Sequence, residues 1–265
     1  MSLIIEERDN GIVTLTLNQP ELRNPISDHD MIDALEETMK RLDQDLDVRV
    51  VILTGAGSAF SSGGNLNKMG ENGGLSDKLP AKTRRNYRYG IQRLPTLFEA
   101  LEIPVIAAVN GPAIGAGCDL TCMCDVRIAS EKAIFAESFV KVGIVPGDGG
   151  AWLLPRIVGF SKACEMALTG DAIKADEALR IGLVSKVVAP EDLLKEARAI
   201  GEKIAANPVH AVRMTKRLLR EASRNSLQTI LEMSAAMQAL SHATEDHKEA
   251  VAAMLGKRQP NFTGE

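Results

Sequence analysis

The pattern of hydrophobic and polar positions predicts alternating strands and helices in the first half of the chain. Residues 12–18 alternate branched and polar side chains, which predicts a half-buried strand. Residues 27–46 carry apolar side chains at helical spacing and predict a helix with Ser27 as its N-cap. Strand, helix and strand in this order indicate an α/β architecture. Three short apolar runs predict buried strands, at 48–55, 103–111 and 125–130.

The second half of the chain, from Ser161 onward, is dominated by helical periodicity. Before it, the polar and aperiodic stretch 70–85 predicts a mobile loop that leads into a helix near 86–102. Thr244, followed by two acidic residues, predicts the start of the last helix. A tail this rich in Met, Ala and Leu often packs on another subunit. The predicted tail helices are 191–207, 210–222, 226–241 and 244–257.

Composition narrows the class of protein. The 265 residues are 45% hydrophobic and 25% charged, as in a globular protein of one or two domains. A net charge of −4 and an aromatic content of only 3% argue against a nucleic-acid-binding protein. No apolar run approaches the roughly 20 residues of a membrane span. The acidic N-terminus lacks the features of a signal peptide. We therefore expect a cytoplasmic protein that does not bind membranes.

The four cysteines predict neither disulfides nor a metal site. Three of them crowd into seven residues, which suits no disulfide framework. The histidines supply no second ligand cluster at the spacing that zinc needs. We expect buried, reduced thiols, since free cysteine is among the most buried residue types. The cysteines are Cys118, Cys122, Cys124 and Cys164.

Two glycine-rich segments, 54–66 and 110–120, each follow a predicted buried strand. Neither matches the G-x-G-x-x-G pattern of dinucleotide sites, because Phe60 and Leu120 stand where the third glycine belongs. The chain also lacks G-K-[ST] and G-x-S-x-G, so NTPase loops and the serine-hydrolase elbow are excluded. Two interpretations remain: tight turns, or backbone N–H donors that converge as an oxyanion hole. A short helix predicted near Gly117 would add partial positive charge to the second segment.

Taken together, these segments resemble the crotonase, or enoyl-CoA hydratase/isomerase, family. The resemblance implies an N-terminal spiral of β-β-α units and a C-terminal helical region that forms trimers. We accordingly divide the chain into a core, 1–200, and a trimerisation region, 201–265, and expect a homotrimer or homohexamer. The segments that carry the resemblance are 17–27, 50–66, 103–130, 142–159, 168–188 and 249–262.

The resemblance also implies the ligand, an acyl-CoA thioester. It assigns the oxyanion hole to the backbone N–H groups of Gly64 and Ala116. Coenzyme A is then the carrier part of the substrate, and no separate cofactor is expected. Family members usually have Asp at the position of Asn65, which leaves that contact open. Each basic residue has the alternative interpretation of a solvated surface charge. Coenzyme A contacts are implied for Arg23, Asn24, Pro25, Ser61, Ser62, Asn65 and Leu66, and for Lys257 or Arg258 of a neighbouring subunit.

The sequence departs from the family at the catalytic positions. Hydratases of this family hold a water with two glutamates, and here the first position is Asp119 and the second is Phe139. A phenylalanine can neither activate water nor carry a proton. Asp119 can still act as a base, and its alternative role is that of an acid that stabilises a helix N-terminus.

A second acid is a separate question. Related enzymes that isomerise or dehalogenate acyl-CoA place an aspartate at the position of Gly147, one residue before Asp148. Asp148 is therefore either catalytic or a turn aspartate that binds its own backbone. Glu137 is a weaker candidate, because on a strand it would share a face with Phe139.

These residues favour an enzyme that stabilises a thioester enolate. Moving a double bond needs one group that takes a proton from C2 and returns it at C4, whereas hydration normally needs two. We therefore favour isomerisation, with Asp119 and Asp148 as the acid/base groups. Two alternatives stay open. The loss of the second glutamate is also consistent with an acyl-CoA-binding protein without chemistry, and the same scaffold suits thioester hydrolysis or C–C bond cleavage.

Overall fold

The computed structural model describes residues 2–65, 68 and 75–265. Within these ranges the chain forms two sheets. The larger has the order β1-β2-β3-β4-β6-β9, and the smaller has the order β5-β7-β8. The strands are β1 (Ile4–Asp9), β2 (Ile12–Leu17), β3 (Val50–Gly55), β4 (Val105–Val109), β5 (Ala113–Ile114), β6 (Val126–Ser130), β7 (Ile134–Ala136), β8 (Ile173–Lys174) and β9 (Lys186–Val188).

Helices flank both sheets and make up most of the C-terminal half. None of the helices in the described ranges is long and apolar enough to cross a membrane. The helices are α1 (His29–Gln44), α2 (Pro80–Tyr89), α3 (Arg93–Ala100), α4 (Ala116–Met123), α5 (Gly150–Val158), α6 (Phe160–Thr169), α7 (Ala175–Arg180), α8 (Leu193–Ala205), α9 (Val209–Ala222), α10 (Leu227–His242) and α11 (Glu245–Leu255).

The larger sheet is buried on both faces. Only β1 and β2 pair antiparallel; from β2 onward the strands run parallel. In β3, Val51 and Leu53 pack into the main core with α1, while Val50 and Ile52 pack on the opposite side with Leu193 of α8. Burial on both faces explains why parallel strands appear in the sequence as continuous apolar runs rather than alternating ones.

The predicted strands and α/β architecture are confirmed, but two helix boundaries differ. Helix α1 begins at His29, and the hydroxyl of Ser27, predicted as its cap, accepts the N–H of Asn65 at 3.2 Å instead. The single helix predicted at 86–102 is two helices, α2 and α3, interrupted at Gly90. A side chain at Gly90 would lie 2.4 Å from the carbonyl oxygen of Asn86, so the chain turns here. Residues 70–74 of the predicted loop lie outside the described ranges.

The helical tail follows its prediction closely. The hydroxyl of Thr244 caps α11 by accepting the N–H of His247 at 3.1 Å. The predicted division at 200/201 falls inside α8, and this helix packs on the larger sheet, where Gly201 lies against Ile12. No residue of α10 is buried, and Leu227 is 75% exposed. The trimer stays a prediction. Contact with another subunit would explain why the apolar side chains of α10 are exposed in a single chain.

The cysteines are free thiols. Cys118, Cys122 and Cys124 are buried in the main core around α4. Cys164 is only half-buried, so the prediction of burial is wrong for this residue because its helix, α6, lies at the surface.

Helix α9 is anchored to the core by three cationic side chains. Arg213 donates to backbone carbonyls at the C-terminal end of α1. Lys216 is 8% exposed, donates to the carbonyl of Ile103 at 2.6 Å and pairs with Asp125 at 2.8 Å. Arg220 pairs with the other oxygen of Asp125 at 2.8 Å. Each cation thus ties α9 to oxygen acceptors of other segments, and removing one would take a hydrogen bond from them.

We expect Lys216→Met to lower the free energy of unfolding by about 1–3 kcal/mol, because it removes the hydrogen bond to Ile103 and one charge from Asp125. Urea unfolding at a fixed protein concentration measures the change. The matched control is Lys40→Met, whose exposed pair with Glu36 joins adjacent turns of α1 and is worth about 0.5 kcal/mol or less. Equal losses in the two variants would contradict an anchoring role.

Candidate active site

The two glycine-rich segments meet backbone to backbone. Gly63 is bridged to Pro25, and its carbonyl accepts the N–H of Ile26 at 2.8 Å. A Cβ atom on Gly63 would lie 2.2 Å from the carbonyl oxygen of Ile114 and 2.9 Å from the amide nitrogen of Ala116. The φ angle of Gly63 is also positive, +76°. Only glycine satisfies both conditions, so the contact depends on this residue.

This contact places the two predicted oxyanion donors on adjoining segments. Gly64 directly follows Gly63, and Ala116 is the first residue of α4. The first amides of a helix have no acceptor within the helix and carry its partial positive charge. The helix predicted near Gly117 is therefore confirmed. The role of the two amides as an oxyanion hole stays a prediction.

The side chain of Asn24 holds the first glycine segment in place through hydrogen bonds to its backbone. Its side chain is fully buried, accepts the N–H of Gln19 at 2.9 Å and donates to the carbonyls of Ala56 and Ala59, both at 2.9 Å. Its φ of 54° belongs to the left-handed region, where asparagine is enriched. The side chain is thus occupied inside the protein, so any contact of this residue with coenzyme A would use the backbone.

The remaining predicted coenzyme A residues differ in position. Ser61 is buried, and its hydroxyl donates to the carbonyl of Asn24 at 2.7 Å. Ser62 is half-buried, its hydroxyl 3.3 Å from the carbonyl of Leu22. Arg23 is exposed, whereas Leu66 lies outside the described ranges.

The two basic residues predicted to come from a neighbouring subunit follow α11 and are exposed. In its own chain, Arg258 pairs with Glu249 at 2.6 Å. Lys257 has a left-handed backbone, with φ 49°. Their predicted contact with coenzyme A stays a prediction.

Three carboxyl groups converge in the interior beside α4. Asp119 is 0% exposed, Glu137 is 1% exposed and Asp148 is 5% exposed. They come from α4, from the segment after β7 and from the loop before α5. Both carboxyl oxygens of Asp119 and Glu137, and Oδ1 of Asp148, have no hydrogen-bond partner among the described residues. Buried polar groups are nearly always paired, so three unpaired carboxyl groups in one place point to a functional site.

Backbone packing holds this cluster together. A Cβ atom on Gly150, the first residue of α5, would lie 2.0 Å from Oδ1 of Asp119. The loop that carries Asp148 is fixed on its other side, where Gln92 donates to the carbonyl of Gly147 at 2.9 Å. The charge of Asp148 also acts on Asp119, so the two acids that the sequence predicts lie in one neighbourhood.

Burial makes all three groups weak acids. It raises the pKa of Asp119 well above its usual range, and the charge of Glu137 adds to that rise. Burial raises the pKa of Glu137 to about 7. Burial alone raises the pKa of Asp148 to about 6. Carboxyl groups with pKa values near neutrality can both take up and release a proton at physiological pH.

Glu137 is more central than the sequence indicated. The expectation that it shares a strand face with Phe139 is wrong, because β7 ends at Ala136 and a 3-10 helix begins at Ser138. The turn points Glu137 toward Asp119. A signal was present in the sequence, since Glu137 comes directly after a short apolar strand, but the pairing of that strand with β5 was not readable.

Phe139 forms part of the wall next to the predicted oxyanion hole. It is 7% exposed, and a Cβ atom on Gly115 would lie 3.6 Å from its Cζ atom. Gly115 directly precedes Ala116. An apolar ring therefore lies where the family resemblance puts a glutamate, and it removes a polar partner for water from this side of the site.

The buried carboxyl group of Asp148 should cost the protein stability above pH 6. Unfolded, it ionises near its ordinary pKa of 3.8; folded, it ionises near 6. Below pH 4 the group is protonated in both states and has no effect. Between pH 4 and 6 only the unfolded state loses the proton, so the free energy of unfolding falls by about 3 kcal/mol.

We therefore expect Asp148→Asn to be more stable than the parent by up to about 3 kcal/mol at pH 8 and little changed at pH 4. Urea unfolding across this pH range measures the difference. Asp47→Asn, at an exposed position, is the matched control. A stability difference that does not vary with pH would argue against a buried, ionising Asp148.

Comparison with known proteins agrees with this architecture. The family model for enoyl-CoA hydratase/isomerase matches residues 7–265. The chain is 36% identical over 265 residues to 1,2-epoxyphenylacetyl-CoA isomerase of Escherichia coli (strain K12), covering 100% of this chain and 99% of that one. It is 37% identical over 260 residues to crotonyl-CoA hydratase of Syntrophomonas wolfei, covering 98% and 97%.

Among solved structures, enoyl-CoA hydratase from Bacillus anthracis superposes with a TM-score of 0.92 at 34% identity, covering 100% of both chains. The crotonase fold expected from the sequence is therefore confirmed. With a family model that spans almost the whole chain, relatives that match it from end to end and a fold shared with a solved hydratase, the chain belongs to the enoyl-CoA hydratase/isomerase family of enzymes.

Proposed function

We propose that this enzyme shifts the double bond of an enoyl-CoA by moving a proton between C2 and C4 of the acyl group. The observation that carries the proposal is the pair of buried carboxyl groups, Asp119 and Asp148. Both oxygens of Asp119 and Oδ1 of Asp148 lack a hydrogen-bond partner among the described residues. Buried, unpaired acids are costly to maintain, and a proton-transfer role explains their presence.

The backbone supplies the electrostatic part of the reaction. In the proposal, the N–H groups of Gly64 and Ala116 donate to the thioester oxygen. Removal of a C2 proton places negative charge on this oxygen as the enolate forms. Fixed donors aimed at developing charge are among the largest catalytic effects, and losing one such donor costs about 3–4 kcal/mol.

The carboxyl groups carry the proton. An ionised Asp148 or Asp119 accepts the C2 proton, becomes a carboxylic acid and returns the proton at C4. No water enters this sequence. The apolar ring of Phe139 beside Gly115 supports it, because a phenyl ring, unlike a glutamate at this position, cannot activate a water molecule.

Hydration of the double bond is the second candidate, and Glu137 is the observation that favours it. Hydration needs two groups, and Glu137 gives Asp119 a second carboxyl group close enough for its charge to raise the pKa of Asp119. Among the relatives, crotonyl-CoA hydratase is a hydratase by name, whereas the isomerase is named for an epoxide, 1,2-epoxyphenylacetyl-CoA. The two candidates differ in whether the product gains the mass of water.

Mass spectrometry of an enoyl-CoA panel incubated in D2O tests the proposal. Deuterium uptake without added water indicates an enolate and supports double-bond migration. Addition of water replaces migration by hydration as the activity. No change in any enoyl-CoA, combined with tight binding of coenzyme A, favours a binding protein, and release of free coenzyme A indicates thioester hydrolysis.

We expect Asp119→Asn to lose at least about a hundredfold in turnover, because the amide cannot accept the substrate proton. Affinity for coenzyme A should be unchanged, since the substitution nearly preserves side-chain shape in a site distinct from the carrier contacts. Steady-state kinetics and calorimetry measure the two quantities separately. Unchanged turnover would remove Asp119 from the mechanism.

Glu137→Gln separates the two candidate reactions. If the enzyme isomerises through Asp119 and Asp148, this variant keeps turnover within about tenfold of the parent, a smaller loss than that expected for a general acid or base. If the enzyme hydrates through Asp119 and Glu137, the variant loses turnover as severely as Asp119→Asn. Product analysis on the same panel identifies which activity has changed.

The proposal includes the expectations on assembly and location. Coenzyme A is treated as the carrier part of the substrate, with no separate cofactor. A homotrimer or homohexamer is supported by the exposed leucines of α10, which packs mainly on its neighbours α9 and α11. The cytoplasmic location rests on the sequence alone.

A further inference from the structure

Next to the carboxyl cluster lies a cavity of about 680 Å³. One wall is the loop that carries Asp148: Gly147 lines the cavity, and a Cβ atom on Gly147 would lie 3.1 Å from the ring of Tyr87. Ile144 and Val145 make this wall apolar, and Val145 is 74% exposed. The opposite wall is helix α2. The cavity therefore adjoins the proposed reaction site at Gly147, next to Asp148, and lies between this loop and α2.

The face that α2 turns toward this cavity is polar and basic. Its lining residues recur at the spacing of a single helix face. No residue of α2 is fully buried; Tyr87 packs in part against the main core, whereas Arg84 and Arg88 on the same face are exposed. None of the residues that line the cavity carries a carboxylate. The lining residues from α2 are Pro80, Thr83, Arg84, Tyr87 and Arg88.

Arg84 and Arg88 are available to a ligand. Neither makes a hydrogen bond or an ion pair with any residue in the ranges that the structure describes. Arg85, between them in sequence, lies off the cavity lining, and its guanidinium stacks over the ring of Tyr89 at 5.3 Å. Two unpaired guanidinium groups facing an apolar wall match a ligand with an apolar body and an anionic end.

We propose that this cavity receives the far end of the acyl group and that Arg84 and Arg88 select acyl groups that end in a carboxylate. The substrate class is then a dicarboxylic acid joined to coenzyme A through one of its carboxyl groups. The inference rests on the proposed function, since it takes the reacting carbons to lie at Asp119 and Asp148. The apolar chain contacts Ile144 and Val145, and the terminal carboxylate reaches the arginines.

The pair of ligands that tests this differs only at the far end of the acyl group: hexanoyl-CoA and adipoyl-CoA, whose terminal carboxylate replaces the methyl group. Both are saturated, so calorimetry measures binding without turnover. We expect the parent enzyme to bind adipoyl-CoA more tightly. We expect Arg84→Gln and Arg88→Gln each to reduce this preference about fivefold, as for a strong exposed ion pair, with hexanoyl-CoA affinity unchanged.

Arg85→Gln is the matched control. It removes the same charge from the same helix, but the side chain of Arg85 lies over the ring of Tyr89 and does not line the cavity. It should keep the preference. Equal weakening of both ligands in the Arg84 and Arg88 variants would overturn the proposal, because it would mean that the arginines bind the phosphates of coenzyme A. A parent enzyme without any preference would overturn it as well.

Turnover distinguishes failure of this inference from failure of the proposed function. The corresponding unsaturated pair, a hexenoyl-CoA and its analogue with a terminal carboxylate, is assayed with the same variants. A binding preference that Arg84→Gln and Arg88→Gln abolish, in an enzyme that turns over neither compound, supports the selectivity of the cavity and refutes the proposed reaction. Turnover of both compounds with equal kcat/KM supports the reaction and refutes the selectivity.

Discussion

The site depends on a close approach of two backbones. Gly63 lies against Ile114 and Ala116, and Gly117 lies against Ser61, where a Cβ atom would stand 2.4 Å from the carbonyl oxygen of Ser61. Side chains at these positions would force the two turns apart. Because each turn follows a strand of the parallel sheet, this contact fixes the end of β3 relative to the start of α4. The proposed oxyanion donors and the carboxyl group of Asp119 take their positions from it.

Burying the carboxyl cluster lowers the stability of the folded protein. Burial within one small region takes three acids out of water and raises the pKa of each. Among the described residues, no hydrogen bond compensates the carboxyl oxygens of Asp119 and Glu137. The rest of the fold offsets this cost. The larger sheet is covered on both faces, and α9 is tied to the core by cations that meet backbone carbonyls. A rigid surrounding keeps the acids from turning outward to water.

The same neighbourhood links chemistry to selectivity. The loop before α5 carries Asp148 on its inner side and presents Gly147 to the cavity along α2. Gln92, just after α2, holds that loop by donating a hydrogen bond to the backbone carbonyl of Gly147. A group that fills the cavity therefore touches the segment that positions the proposed base. Phe139, on the other side, keeps the site apolar near Gly115.

The sequence by itself determined the family, the α/β architecture, most strands and the helical tail, because these follow from hydrophobic periodicity and from glycine segments that only close backbone packing requires. It also singled out Asp119 and Asp148 and the missing glutamate at Phe139. Only the tertiary structure decided that Glu137 joins them, because the chain turns after β7 and no local pattern records which strand β7 pairs with. The burial of the Asn24 side chain and the basic face of α2 toward a cavity were likewise decided by contacts between segments distant in sequence. Local periodicity shows which face of a helix or strand is apolar. Which other helix, strand or cavity that face meets is set by the packing of the whole chain.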